Sequence, residues 1–511
     1  FTKHLPSIYQ AFTKHLPSTT ICYLPTHPEK MTSPMTQIQT DYLVIGAGAV
    51  GLAFADTLLQ ETDAHITIVD KHGKPGGHWN DAYPFVALHQ PSAFYGVNAM
   101  PLGDNRKDVI GVNKGFYELA SGPEVSGYFN KVMQQILLPS GRVRYFPMSN
   151  YLGGQSLADH RFVSLLSGDE THVTVRNKLV DATYYRTSVP STHTPKFSVA
   201  PGVRLVTPNA LAQLWQGNEA LPLHYVIVGA GKTAMDVGVW LLNSGAPADA
   251  ISWVMPRDSW LLNRRYTQPG AEFFSDVMGA QADQMQALAD AQTADDLFLR
   301  LEASGQVLRI DPQHTPSMFH YATLSEGEVA LLRQIKHVIR MGRVKALEPT
   351  RILLEQGEVP VAPHTLFIDC SASAVEKLPV QPIFQADKLV LQMVRIPQPA
   401  FSAALVAFVE AHCGRTSDSN ERKNQLCTPV PLPRVLQEFP RATLVAMMNQ
   451  LRWGQDKALR QWIRTSRLDG FGKLIAEIDP ADAEKLAVMG RYKASAQAAM
   501  GSMARWMEQA D

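Results

Sequence analysis

Short wholly apolar runs alternate along the chain with stretches of helical periodicity. Residues 42–45 (Tyr-Leu-Val-Ile) are apolar at every position and are followed by glycines; Leu52, Ala55 and Leu59 then recur at helical spacing. A run without polar alternation predicts a strand covered on both faces, as in a parallel sheet. The same sequence of events returns at residues 225–228 (Tyr-Val-Ile-Val), with Met235, Val239 and Leu242 on the following helix. Residues 65–70, 251–256 and 365–369 add further short apolar runs. Strands alternating with helices predict an α/β chain with two parallel-sheet units. Residues 271–306, rich in Ala, Gln and Leu, predict a helical excursion inside the second unit. The chain beyond Phe401 reads as mainly helical, with an exposed loop at 416–423.

Length and charge narrow the picture. A chain of 511 residues is long enough for two or three domains. Its 47 basic and 47 acidic side chains cancel, so it lacks the basic excess of an electrostatic nucleic-acid binder. Four scattered cysteines form no C-x-x-C or C-x-x-x-x-C pair, which removes zinc ribbons and the redox-active dithiol of disulfide reductases. No metal site is expected. No run of 18 apolar residues predicts a membrane span, and the expected location is cytoplasmic. Residues 1–35 stand apart. FTKHLPS occurs at 1–7 and again at 12–18, and Pro6, Pro17, Pro25 and Pro28 interrupt any helix. This segment is expected to be a disordered leader, with Met31 and Met35 as alternative starts.

The glycines between strand and helix carry the chemistry. Gly46, Gly48 and Gly51 form G-x-G-x-x-G, with Val50 in the first helical turn. The first glycine permits the tight turn, the second lets a pyrophosphate approach the backbone, and the third allows close helix–strand packing. Asp70, followed by Lys71, ends the second strand 19 residues beyond Gly51, where an acid accepts a ribose hydroxyl. Gly229, Gly231 and Ala234 repeat the loop as G-x-G-x-x-A. Gly231-Lys232-Thr233 suggests a P-loop, but that motif needs a glycine where Val226 stands. Here the second strand ends at Arg257 instead of an acid, and a guanidinium suits a 2′-phosphate, pointing to NADPH over NADH. Lys232 is expected to add positive charge near the phosphates.

Beyond Asp70 the chain reads Gly76-Gly77-His78-Trp79, then Tyr83-Pro84 and His89-Gln90-Pro91-Ser92. This resembles the flavin-containing and Baeyer–Villiger monooxygenases, whose first glycine loop binds FAD. The resemblance runs over about residues 40–375 and is strongest at the two loops and the G-G-H-W turn. It implies that Gly77, His78 and Trp79 lie near the flavin or its ribityl chain, and that His89, Gln90 and Ser92 pass near the isoalloxazine. It further implies that Met148 lies at the adenine and that Asp369 approaches the flavin. Thr233, Ala234 and Asp236 match the family's second loop. The family's F-x-G-x-x-x-H string is missing; residues 196–214 stand in its place. After Tyr83-Pro84, Ala87 and His89 replace the family's arginine and acid.

The expected architecture is two Rossmann-like domains, the NADP domain inserted into the FAD domain, with a helical C-terminal region. The expected boundaries are 36–215, 216–360 and 361–511. Three functions stay open. The first is an FAD- and NADPH-dependent monooxygenase that oxygenates a small organic substrate with O2 through a flavin peroxide. The second is a flavin reductase or oxidase without oxygen insertion, and the third is a redox-sensing scaffold. No catalytic residue is assigned. Arg264 and Arg265 stand either as stabilisers of a peroxide anion or as surface charges. The sequence leaves oligomeric state open.

Overall fold

The computed structural model describes residues 36–214, 216, 221–373, 375, 378–414, 417–502 and 505–506. The leader expected over 1–35 lies outside them. No helix among the described residues is long and apolar enough to cross a membrane.

Two sheets repeat one plan. In the first, the parallel order is Val143–Phe146, Ile66–Val69, Thr36–Ile45, Glu170–Asp181 and Lys388–Val390. His160–Ser164 and Ser149–Gly153 extend it antiparallel. In the second, the parallel order is His337–Ile339, Ile251–Val254, Tyr225–Val228, Leu366–Asp369 and Arg204–Val206. Each first strand is central and runs into a glycine loop, which places both loops at the carboxyl ends of their strands.

The second unit is wider than expected. Arg204–Val206 and Leu366–Asp369 both pair into its sheet, so the chain returns to the first sheet only at Lys388–Val390. The reason is positional: the unit needs neighbours on the far side of Tyr225–Val228, and apolar runs do not state which sheet they join.

Helix Ala49–Glu61 is clamped between the first sheet and helix Pro399–His412, with Leu52, Phe54, Leu58, Phe401 and Leu405 in one core. The expected excursion forms helices Phe274–Asp290 and Ala294–Ala303. The first packs against the C-terminal helix Ala483–Gly501 through Arg491–Asp283 and Ser495–Gln286 contacts. The stretch 416–423, expected to be an exposed loop, lies from Ser417 onward in the helix Ser417–Leu426. Its Lys423 is fully buried, with its ammonium 2.7 Å from Glu410, which also accepts the Tyr42 hydroxyl at 3.1 Å. A polar sequence is drawn inward here because its charge has a buried partner.

Candidate active site

The two glycine loops have nearly the same conformation. Gly48 caps its helix at φ −81° and ψ −176°, and Gly231 does so at φ −84° and ψ −179°. Neither helix has a side-chain cap or an acid in its first turn. Both N-termini therefore present uncapped N–H groups and a partial positive charge. Gly46 (φ +103°) and Gly229 (φ +123°) turn through the left-handed region. A Cβ on Gly51 would lie 2.0 Å from the Gly46 carbonyl oxygen, so that glycine serves packing. A Cβ on Gly231 would meet nothing within 4 Å.

A matching turn crosses beneath each loop. Asp181 accepts from the Thr183 N–H (3.0 Å) and hydroxyl (2.7 Å). Asp369 accepts from the Ser371 N–H (2.9 Å) and hydroxyl (2.6 Å). Asp369 is buried in this turn.

The Gly76–Gly77 turn lies on the first loop. Gly76 N–H donates to the Ala47 carbonyl at 2.9 Å, and a Cβ on Gly77 would lie 2.9 Å from Gly48 Cα. Asp70 holds this arrangement. One oxygen accepts the Ala47 N–H (2.6 Å), and the other accepts the His72 N–H (2.7 Å) and ring Nδ1 (2.8 Å). Three of about four acceptor sites are thus engaged, leaving one. Burial pushes the Asp70 carboxyl up, but hydrogen bonds from His72 and Ala47 outweigh it and hold the pKa below the usual value. The His72 ring also meets Asp81 at 2.9 Å. Its pKa rises because the bond to Asp70, joined by Asp81, outweighs burial. Lys71 is exposed beside this cluster.

His78 stacks on Trp79, whose indole donates to the Tyr95 hydroxyl at 2.8 Å. Burial lowers the His78 pKa to about 4, so it is neutral at physiological pH. Two buried polar atoms beside the loop lack partners among the described residues: the Asn80 Oδ1 and the Tyr145 hydroxyl. Such orphans fit a site completed by a ligand. Met148, expected at the adenine through its backbone, has that backbone engaged: its N–H donates to His72 (3.0 Å) and its carbonyl accepts from Leu165 (2.7 Å). Ser92 is likewise committed, to the Glu118 carbonyl (3.0 Å) and the Ala120 N–H (2.8 Å). Gln90 is half-buried.

Lys232 points inward. It pairs with Asp236 and stands 3.8 Å from Glu328, so its charge is not free for a phosphate. It belongs to a buried chain between the two domains. Tyr83 donates to Asp236 at 2.7 Å, and the Thr233 hydroxyl also reaches Tyr83. Glu328 meets Arg264 at 2.6 Å. Arg264 is fully buried and donates to the His89 carbonyl (2.9 Å), Asn113 (3.1 Å) and the Thr323 carbonyl (3.2 Å). It is neither a surface charge nor a free guanidinium. Arg265, 3.8 Å from Glu326, is half-exposed. The His89 ring is depressed far below its ordinary pKa by burial and by the charges of Lys232 and Arg264.

Arg257 is exposed at the end of its strand. Its neighbour Asp258 is bound by Arg340 at 2.8 and 3.0 Å, so that acid does not cancel Arg257. Partial desolvation and the charges of Arg257 and Arg434 together depress the pKa of His320.

The C-terminal region closes over residues 93–97. Arg467 donates to the carbonyls of Ala93 (2.8 Å), Tyr95 (2.6 Å) and Val97 (2.7 Å). A cavity of about 310 Å³ is bordered by Tyr184, Tyr185, Val375, Gln392 and Arg434. Tyr184 follows strand Glu170–Asp181, Val375 follows Leu366–Asp369, and Gln392 follows Lys388–Val390. The cavity therefore lies beyond the carboxyl ends of strands from both sheets, where open α/β sheets bind ligands. Sequence reasoning missed His72, Asn80, Tyr145 and Arg467. Arg467 binds carbonyls more than 300 residues earlier in the chain, and no local motif marks the other three.

Residues 44–109 match the NAD(P)-binding Rossmann-like domain family. The chain is 45% identical over 475 residues to the uncharacterized protein Rv2000 of Mycobacterium tuberculosis, covering 93% of this chain and 85% of the relative. The uncharacterized protein Mb2023 of Mycobacterium bovis matches to the same extent. Among solved structures, the polycyclic ketone monooxygenase of the fungus Thermothelomyces thermophila superposes with a TM-score of 0.50 at 12% identity, covering 93% of this chain and 90% of that one. At that identity the likeness is one of fold.

Proposed function

The chain belongs to the family of the mycobacterial protein Rv2000, and from its twin glycine loops we propose that it is an FAD-dependent oxidoreductase reduced by NADPH. The observation that carries this reading is the pairing of two uncapped glycine loops of matching conformation, one per sheet. FAD fits the first loop. Gly48 and Val50 would face the pyrophosphate and Asp70 the ribose, while the Gly76–Gly77 turn and the orphaned Asn80 and Tyr145 atoms flank it. NADPH fits the second loop, with Gly231 open to its pyrophosphate and Arg257 at the 2′-phosphate. When bound, the flavin would accept a hydride from NADPH and pass its electrons onward.

The chain's own residues orient and enclose. The Tyr83–Asp236–Lys232–Glu328–Arg264 chain fixes one domain against the other, so that two bound nucleotides would meet at a set distance. The neutral His78 and His89 rings and the stacked Trp79 exclude water without adding charge. We read the reaction as oxygenation of a small organic molecule seated in the 310 Å³ cavity. One observation favours a second reading, electron transfer without oxygen insertion: four of the five N–H donors of Arg264 are engaged by protein, which leaves at most one for a developing oxyanion. Product analysis under labelled O2 separates the two. Label in an organic product supports oxygenation; stoichiometric hydrogen peroxide or a reduced, unlabelled product supports the alternative.

A further inference from the structure

The His72 ring stands between two carboxylates, its Nδ1 2.8 Å from Asp70 and its Nε2 2.9 Å from Asp81. An ionised carboxylate only accepts, so both contacts are hydrogen bonds only when both ring nitrogens carry protons, as in the imidazolium. A neutral ring keeps one bond and sets a bare nitrogen against the other acid. The two bonds pin the same residue of the first glycine loop. Asp70 accepts the Ala47 N–H at 2.6 Å. The Asp81 contact closes residues 72–81 into a loop, and within it Gly76 N–H donates to the Ala47 carbonyl at 2.9 Å. Asp81 is itself anchored, its own carbonyl accepting the Ser191 hydroxyl (2.6 Å) and the Asn209 amide (3.1 Å). The other titratable groups near the ring do not supply its charge. Burial depresses His78 to about 4, so it is neutral. Burial, with the Asp70 charge, raises the Tyr145 hydroxyl, which stays protonated. Lys71 and Lys74 are exposed.

We propose that His72 is a positioning residue for the dinucleotide at this loop: as an imidazolium it clasps Asp70 and Asp81 and through them holds both backbone groups of Ala47, so that FAD binding is linked to one proton on its ring. The inference rests on the reading of the first loop as the FAD site. Burial pushes Asp70 up, but bonds from His72 and Ala47 outweigh it, so this acid stays ionised while His72 titrates. His72 is raised by its bond to Asp70 and by Asp81, against burial. FAD therefore binds best while the ring is charged, and more weakly as pH rises through the His72 pKa. The pyrophosphate brings negative charge to the loop and favours the same charged ring.

The test is titration of the full chain, stripped of flavin, with FAD across a series of pH values from about 6 to about 9, read by flavin fluorescence. The Kd is expected to rise at least about tenfold over the series, since one charge-assisted hydrogen bond is worth a factor of that order. His72→Asn is expected to give a flat profile near the weak, alkaline limit. His72→Arg keeps a charge that can reach both acids and is expected to give a flat profile near the tight, acidic limit. A purely structural role would weaken binding by one factor at every pH and leave the slope in place. Thermal midpoints confirm that both variants fold. Calorimetry of the wild-type chain in buffers of different ionisation heat reads the proton taken up with FAD and needs no variant. A flat wild-type profile, a slope that survives His72→Asn, a folded His72→Arg no tighter than His72→Asn, or no proton uptake would overturn the assignment. A chain that binds FAD equally at every pH loses only this inference. One that binds no FAD at any pH loses the cofactor reading, and the inference with it.

Discussion

Replacing Gly231 by alanine separates a glycine kept for a ligand from glycines kept for the fold. Gly51 and Gly229 are structural: a Cβ would lie 2.0 Å from the Gly46 oxygen in one case and 2.5 Å from the Cys370 oxygen in the other. Gly231 has neither constraint. Its φ of −84° and ψ of −179° suit any residue, and a Cβ there meets no atom within 4 Å. Alanine is a poorer N-cap than glycine by a few tenths to about 1 kcal/mol. It also lowers the entropy of the unfolded chain, which returns about 0.4–1 kcal/mol. The net change in stability is therefore about zero. If the loop receives a pyrophosphate, the new methyl stands where the phosphate approaches and disrupts one or two charge-assisted bonds, each worth about 1.5–3 kcal/mol. Gly231→Ala should then bind NADPH at least about tenfold more weakly, while its thermal midpoint moves by no more than about 2 °C. Fluorescence titration with NADPH and a melting curve on the same preparation measure both. Wild-type NADPH affinity in a normally folded Gly231→Ala protein would refute the ligand role of this loop.

Arg257→Ser should lower the preference for NADPH over NADH about tenfold, read as the ratio of the two kcat/KM values, because Asp258 is neutralised by Arg340 and leaves Arg257 free; an unchanged ratio would move the 2′-phosphate elsewhere. Asp56 is buried in the helix after the first loop, and burial raises its pKa from 3.8 to about 6 despite hydrogen bonds from Ala99 and Gln60. The folded state then holds a proton that the unfolded chain releases, so stability is fullest below about pH 4 and falls as pH rises through 6, by about 3 kcal/mol in total. Asp56→Asn should remove that slope and raise the urea midpoint at pH 7.5; an unaltered pH profile would contradict it. Arg264→Met strands Glu328 with only Lys232 at 3.8 Å and should destabilise the folded chain by about 3–5 kcal/mol, visible as an earlier urea transition. A change within about 0.5 kcal/mol would mean that the domain junction does not depend on it.

The parts legible in the sequence are those whose cause is local. A tight turn, a bare helix N-terminus and a strand buried on both faces each need particular residues in a row, so both loops could be read directly. What lay hidden depends on distance along the chain. Tyr83 and Asp236 are 153 residues apart, and Arg264 and His89 are 175 apart. Nothing near Lys232 states that a glutamate from another helix will draw it inward. For the same reason 416–423 reads as a solvated loop, although Lys423 is buried on Glu410. Leu366–Asp369 reads correctly as a buried strand, but its sheet is decided by the partners available, which no run of apolar residues encodes.

Whether the first glycine loop holds FAD is read from the visible spectrum of the purified chain after incubation with FAD, recorded without oxygen before and after NADPH is added. Retained flavin absorbance that NADPH bleaches, and NADH bleaches more slowly, is the expected result. A protein that stays colourless after exposure to FAD would contradict the assignment of the first glycine loop.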